Sequence, residues 1–277
     1  MNDSAATTHR HAAAAASLYA PVPAMTDPGG PLQVRRILPG ESLGDVQRLR
    51  REVYLLEQGH ERTRSRRIVD GLDGSGTVIV VEQGEQAVGS LRMHDFASPA
   101  VLVEYGSLFQ VDAFAHTLPL QQLGISTRFA VQAEQRMQHV VDTLVGEAYR
   151  YAQDQQMRYG LMTCDPAFHG LFEHYGFREY LPPALLRSGD AVLRMALVID
   201  DAEHLESCGS PLLKLVRDPV AGAAARGWLR RNFRLLDGGW STRLKLIQTD
   251  TVMVILRYSA EGRDDRLCAH ACHVLLG

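Results

Sequence analysis

The sequence predicts an α/β fold built on one mixed sheet with helices on both faces. Short strand-like runs and helix-period runs interleave from residue 32 to residue 200. Two of the helical runs directly follow a strand, the signature of helices laid on a sheet. Apolar residues make up 45% and charged residues 22% of the 277 residues, a composition that can bury one large core. The boundaries are a tail at 1–30, a main domain at 31–201 and an extension at 202–277.

The elements follow in order. LQVRRIL at 32–38 is a short strand closed by the Pro39-Gly40 turn. Leu43, Val46, Leu49 and Val53 have helical spacing within 41–54. After the polar loop EQGHERTRSRRIVDGLDGSG come TVIVVEQ and QAVGSLRMHDF, two strands joined by a tight Gly84-Glu85 turn. A segment around VLVEYG has no clear period. GISTRFAV is then a strand, and Val140, Val141, Leu144, Val145 and Ala148 carry a long helix to about 155. MRYGLMTCD is a strand, PAFHGLFEHYG a short helix with Pro166 in its first turn and Gly176 at its end, and FREYL and AVLRMALVID are strands. The extension predicts a helix through PVAGAAARGWLRRNFRLL, a Gly238-Gly239 break and a β-rich end in LKLIQTDTVMVILRY.

The formal charge of -3 gives no global attraction to nucleic acid or membrane, so any basic site must be local. No apolar run approaches the roughly 20 residues that span a bilayer. The Ala-, Pro- and Gly-rich tail has little to bury and lacks the flanks of a signal peptide, which predicts a cytoplasmic protein without disulfides. Cys268, His270, Cys272 and His273 have no second ligand pair spaced for a structural zinc, so no metal is assigned. From Lys214 to Lys245 there are eight Lys/Arg against two acids, with Trp228, Phe233 and Trp240 interleaved. Arg226, Arg230, Arg231 and Arg234 make one basic helix region that reads as a tRNA surface, a carrier-protein dock or a solvated face.

The junction between the long helix and its preceding strand, QAEQRMQH, holds no glycine. A backbone cradle for a diphosphate needs glycine, because a side chain blocks close approach.

The element order and the phrase LFEHYGF resemble the GNAT-type N-acyltransferases. STRFAV resembles the Ser-Arg-Phe-x-Val strand of acyl-homoserine-lactone synthases, which share that fold with the long-chain N-acyl amino acid synthases. RREVY, VDGLD and VGSLR fall in the matching order and supply Arg50 and Tyr54, Asp70 and Asp73, and Arg92; the match covers about residues 33–200. Two departures stand out. Ile125 lies where the lactone synthases carry a glutamate, and the loop after the first helix lacks their tryptophan. Both speak against S-adenosylmethionine as the substrate.

The resemblance implies a mostly antiparallel, twisted GNAT sheet. It also implies an enzyme that moves an acyl group from a carrier-protein phosphopantetheine thioester to a small amine or amino acid by direct attack, with no tightly bound cofactor. Backbone N–H groups of the Arg128–Val131 strand, chiefly Phe129 to Val131, would face the thioester carbonyl. Phe172 stands where many relatives have the tyrosine that protonates the thiolate, leaving Tyr175 as a substitute. Asp70 and Asp73 would recognise the amine, one of them taking its proton, or simply form a turn. Arg50 and Arg92 would pair with them or clamp an acceptor carboxylate. Arg136 would meet the single phosphate of a carrier arm, and Cys164 lies nearby as the one rival nucleophile. The alternatives are an acyl-CoA donor, an aminoacyl-tRNA donor, and a non-catalytic GNAT-fold binding module.

Overall fold

The computed structural model describes residues 31–54, 69–132, 138–186 and 189–233, with the backbone alone of 55–57, 245–249, 252–256 and 269–271. The tail, the RTRSRR run, Arg136, Arg234, Trp240 and the side chains of the Cys268–His273 segment lie outside the described residues.

Strand β1 (Leu32–Ile37) leads to helix α1 (Gly44–Arg51), which passes into a π-helical turn, Glu52–Glu57. Strands β2 (Thr77–Gln83) and β3 (Gln86–Asp95) form the expected hairpin. Gly84 takes φ +62° in its turn, a left-handed conformation that glycine adopts freely. The segment without clear period holds two short helices, α2 (Pro99–Tyr105) and α3 (Val111–Ala115). Strand β4 (Leu123–Val131) precedes helix α4 (Gln138–Asp154), strand β5 (Tyr159–Cys164) and helix α5 (His169–His174). Strands β6 (Arg178–Leu185) and β7 (Ala191–Val198) close the sheet.

The seven strands lie in the order β1-β2-β3-β4-β5-β7-β6. Every neighbouring pair is antiparallel except β4 and β5. Helices cover both faces. On one face α4 and α5 pack Val140, Leu144, Leu171 and Phe172 against Ile79, Val81, Leu91 and Met195. On the other, α1 and the π-turn after it pack Val46, Leu49 and Val53 on Val78, Val80 and Ala130.

Residues from 202 onward form helix α6 (Ala202–Ser207) and helix α7 (Pro219–Asn232). Up to Phe233 they are joined to the sheet rather than appended to it. Leu229 and Phe233 are buried with Phe114, Tyr159 and Tyr180, and the Tyr159 hydroxyl donates to the Ala225 carbonyl at 2.9 Å. Gly222 meets the Asp200–Asp201 backbone so closely that a Cβ there would overlap the Asp200 carbonyl. Strands β8 (Lys245–Thr249), β9 (Val252–Leu256) and β10 (Ala269–Ala271) make a separate three-stranded antiparallel sheet.

Candidate active site

Parallel pairing of β4 with β5 lasts three rungs, Leu123 with Tyr159, Gly124 with Gly160 and Ile125 with Leu161. Beyond them β5 pairs only with β7 and β4 only with β3 among the described residues, so the two strands part and leave a wedge. The β3–β4 register slips within that stretch: Ser90 faces Ala130, but Arg92 faces Thr127. One extra residue therefore sits in β4, a bulge. Arg128 lies in it at φ +58°, a left-handed backbone that an arginine adopts at a cost of about 1–2 kcal/mol.

The bulge sets which groups face the wedge. The Gln132 N–H donates to the Val88 carbonyl at 3.0 Å. Opposed residues of an antiparallel ladder alternate between bonded and non-bonded pairs. Val131 opposite Gly89 is then a non-bonded pair, and Ala130 opposite Ser90 a bonded one. The N–H of Val131 points away from β3, into the wedge. The Phe129 carbonyl shares a trans peptide with the Ala130 N–H, so it points the same way as the Val131 N–H. A hydrogen-bond acceptor and a donor thus lie side by side on the free edge of β4.

The ionic residues gather beside this edge. Arg50 and Arg92 are fully buried. Asp73 accepts from Arg50 at 2.8 Å, from Arg92 at 2.9 Å and from the Asp70 backbone N–H at 3.0 Å. Asp70 accepts from Nη1 and Nη2 of Arg92 and from Arg128 Nη2 at 2.6 Å and Nε at 3.2 Å. Its second duty is a turn, taking the Leu72 N–H at 2.9 Å. Burial opposes ionisation of Asp70, but the hydrogen bonds from Arg92 and Arg128 outweigh it and hold the carboxyl far below the usual range. Such a carboxylate takes no proton from an amine near neutral pH. Three arginines against two aspartates leave one excess positive charge. Arg128, 17% exposed, is the arginine of the three that solvent reaches.

The period of two along β3 puts His94 on the face that carries Arg92. Its Nε2 lies 3.0 Å from the Leu72 carbonyl, and burial with the neighbouring Arg92 charge lowers its pKa. Thr127 accepts from Arg92 Nε at 3.1 Å. Neither residue was singled out from the sequence, although strand alternation from Arg92 points to His94; Thr127, next to Arg128, is brought opposite Arg92 by the register of the two strands. Tyr54 donates to the Phe129 carbonyl at 2.9 Å.

On the α4 side, Phe172 packs edge-on against Phe129 with ring centroids 5.6 Å apart. Tyr175 is fully buried; its hydroxyl donates to Asp142 at 2.7 Å and accepts from Gln138 at 2.9 Å, at the described start of α4. Cys164 is buried, donates to the Asp165 carbonyl at 3.1 Å, and burial pushes its thiol up, away from the reactive thiolate. In α7, Arg226 is held by Asp201 at 2.9 Å and by Glu203, so it does not lie on an open basic face; Arg230 and Arg231 are exposed. Among the described residues no cluster is built to hold a metal ion, and no helix is long and apolar enough to cross a membrane.

The fold has solved counterparts. The structure of FeeM, an N-acyl amino acid synthase from uncultured soil microbes, has 15% identity, a TM-score of 0.51, and coverage of 68% of this chain and 99% of its own. BjaI, a CoA-dependent acyl-homoserine lactone synthase solved with SAM and isopentyl-CoA, has 19% identity, a TM-score of 0.50 and coverage of 71% and 99%. At these identities the likeness establishes the fold alone. No curated protein sequence matches the chain. The family model for N-acyl amino acid synthase FeeM, however, matches residues 45–194, more than half of the chain and the whole wedge with its arginines. The chain therefore belongs to the FeeM family of N-acyl amino acid synthases and is an N-acyltransferase.

Proposed function

We propose that the protein joins an acyl group from a carrier-protein thioester to the amine of a small amino-acid acceptor by direct attack. The observation that carries this reading is the free edge of β4, where the Phe129 carbonyl and Val131 N–H lie side by side next to the partly buried side chain of Arg128, the arginine of the cluster that solvent reaches. The Val131 N–H is placed to hold the thioester oxygen as it gains charge. The Phe129 carbonyl takes one N–H of the amine and leaves its lone pair for attack. The excess positive charge suits the acceptor's carboxylate, with Arg128 the group that meets it. A C–N bond forms, the C–S bond breaks, and the proton lost by nitrogen ends on sulfur.

A direct mechanism fits the side chains. Cys164 is no nucleophile, since its thiol is buried and hard to ionise. Asp70 and Asp73 serve to orient Arg92 and Arg128 rather than to act as bases.

The start of α4 favours a carrier arm over CoA as donor. The junction that leads into it, QAEQRMQH, holds no glycine and so offers no backbone cradle for a pyrophosphate with its several charges. A single phosphodiester, which Arg136 would assist, needs no such cradle. BjaI is CoA-dependent, so the contrast is a sharp one.

The test is an intact-mass assay offering acyl-carrier protein, acyl-CoA and aminoacyl-tRNA separately, each with a pool of amino acids. The expected result is an N-acyl amino acid formed fastest from the carrier thioester. Faster product from acyl-CoA or aminoacyl-tRNA overturns the donor assignment. No amide from any donor leaves the binding-module alternative.

A further inference from the structure

The contact between Tyr54 and the Phe129 carbonyl is set by two irregularities that meet. The first is in the helix. At Glu52 the α-helical geometry of α1 gives way to a π-turn, which holds one more residue per hydrogen-bonded ring and so rotates the side chains that follow. Tyr54 lies within this turn, and Glu52 accepts from the Gln132 side chain at 3.4 Å, so the turn is fastened to the end of β4 at two points. The second is the bulge. Arg128 in its left-handed conformation immediately precedes Phe129, at the place where the β4 ladder carries an extra residue. The Phe129 carbonyl faces the free edge, where β5 has parted, so it has no strand partner there among the described residues and needs another restraint to keep one direction.

We propose that Tyr54 is a positioning residue for the acceptor amine, its hydroxyl fixing the Phe129 carbonyl as the acceptor that holds the attacking nitrogen. The proposal rests on the acyl-transfer reading above. A carbonyl oxygen has two lone pairs. The Tyr54 hydroxyl takes one from the α1 side of the sheet. The other is directed along the free edge toward the place where a thioester held by the Val131 N–H would present its carbon. Fixing that direction matters, because a misplacement of about 1 Å at a reacting centre costs about 100-fold in rate. Tyr54 touches the carbonyl and not the reacting atoms, so its loss should spare thioester binding and polarisation.

Tyr54→Phe keeps the ring and removes the hydrogen bond. With carrier thioester and amino acid present, two products are counted: the amide, and the free acid released when water attacks instead. The ratio of amide to acid should fall about 10- to 100-fold, with KM for the donor unchanged. A general loss of structure would lower both products together. A fluorinated tyrosine at position 54 supplies a second measurement in a side chain of nearly the same shape. Its phenol ionises at lower pH and then cannot donate, so the amide-to-acid ratio should fall as pH rises through that ionisation. An unchanged ratio in Tyr54→Phe, or a pH-independent ratio in the fluorinated protein, overturns the proposal while leaving acyl transfer intact. Wild-type protein that consumes thioester but forms no amide overturns the acyl-transfer reading and this one with it.

Discussion

Arg128 combines a strained backbone with an ion pair, and substitution separates the two. Arg128→Ala removes hydrogen bonds of 2.6 and 3.2 Å to Asp70 but keeps a Cβ on a residue at φ +58°. Hydrogen bonds to charged groups contribute about 1.5–3 kcal/mol. The low end applies, because the two side chains are 17% and 25% exposed and Asp70 keeps Arg92. Arg128→Gly loses the same bonds yet relieves about 1 kcal/mol of left-handed strain. In a domain of this size 1 kcal/mol shifts Tm by about 2–4 °C. Arg128→Gly should therefore melt about 2–4 °C above Arg128→Ala, with both below wild type. Activity should separate them differently. Both variants should lose about 10- to 100-fold in kcat/KM for an amino acid, the worth of a charge-assisted contact to its carboxylate. Both should lose much less for the matching amine that lacks the carboxylate. A fully active Arg128→Ala, or equal losses with the two acceptors, refutes the placement of Arg128. A glycine variant no more stable than the alanine variant refutes the strain.

Gly222→Ala tests how tightly α7 is seated. Alanine normally stabilises a helix interior by about 1 kcal/mol over glycine. Here its Cβ would overlap the Asp200 backbone, so the sign should reverse to a loss of about 1–3 kcal/mol in thermal denaturation. An unchanged or raised Tm would contradict the close approach. His169 lies 3.3 Å from Glu179 and 3.4 Å from Glu173. Burial would lower its pKa, but the two carboxylates outweigh that and raise it. A raised folded-state pKa gives stability that is complete below the unfolded value of about 6.5. That stability is lost as pH rises through the folded value. The difference in Tm between wild type and His169→Gln should therefore be largest at mildly acid pH and shrink upward from about pH 6.5; a difference that grows with pH would refute the pairing.

Much of the sheet was legible because periodicity and turn chemistry agree locally. The β2–β3 hairpin shows it, with short apolar strand runs on either side of the tight turn at Gly84. The same holds for α4, whose buried Val140, Val141, Leu144 and Val145 recur at helical spacing. The α2–α3 segment resisted because helices of seven and five residues are too short for a period to emerge; their burial is decided by Phe96, Phe109 and Phe114 meeting residues far along the chain. Family order picked out Arg50, Asp70, Asp73, Arg92 and Arg128 and offered pairing of Arg50 and Arg92 with the aspartates as one alternative, but not the pairing of Arg128 with Asp70. That contact, 58 positions apart, starts from a register slip that no local pattern in β4 announces. The left-handed backbone of Arg128 is hidden for the same reason, since arginine gives no hint of it.

The seating of α7 bears on how the protein comes off the ribosome. A nascent chain that has emerged only through β7 holds every strand of the large sheet, yet Phe114, Tyr159 and Tyr180 still lack the cover that Trp228 and Phe233 provide. Asp201 likewise waits for Arg226. The arriving helix must then bring Gly222 onto the Asp200 turn in one register, since neighbouring Ala221 or Ala223 would present a Cβ there instead. Native packing at that end of the sheet is thus completed only after residue 233 is made, and a chain cut short after the last strand of the large sheet would expose an aromatic surface ready to aggregate.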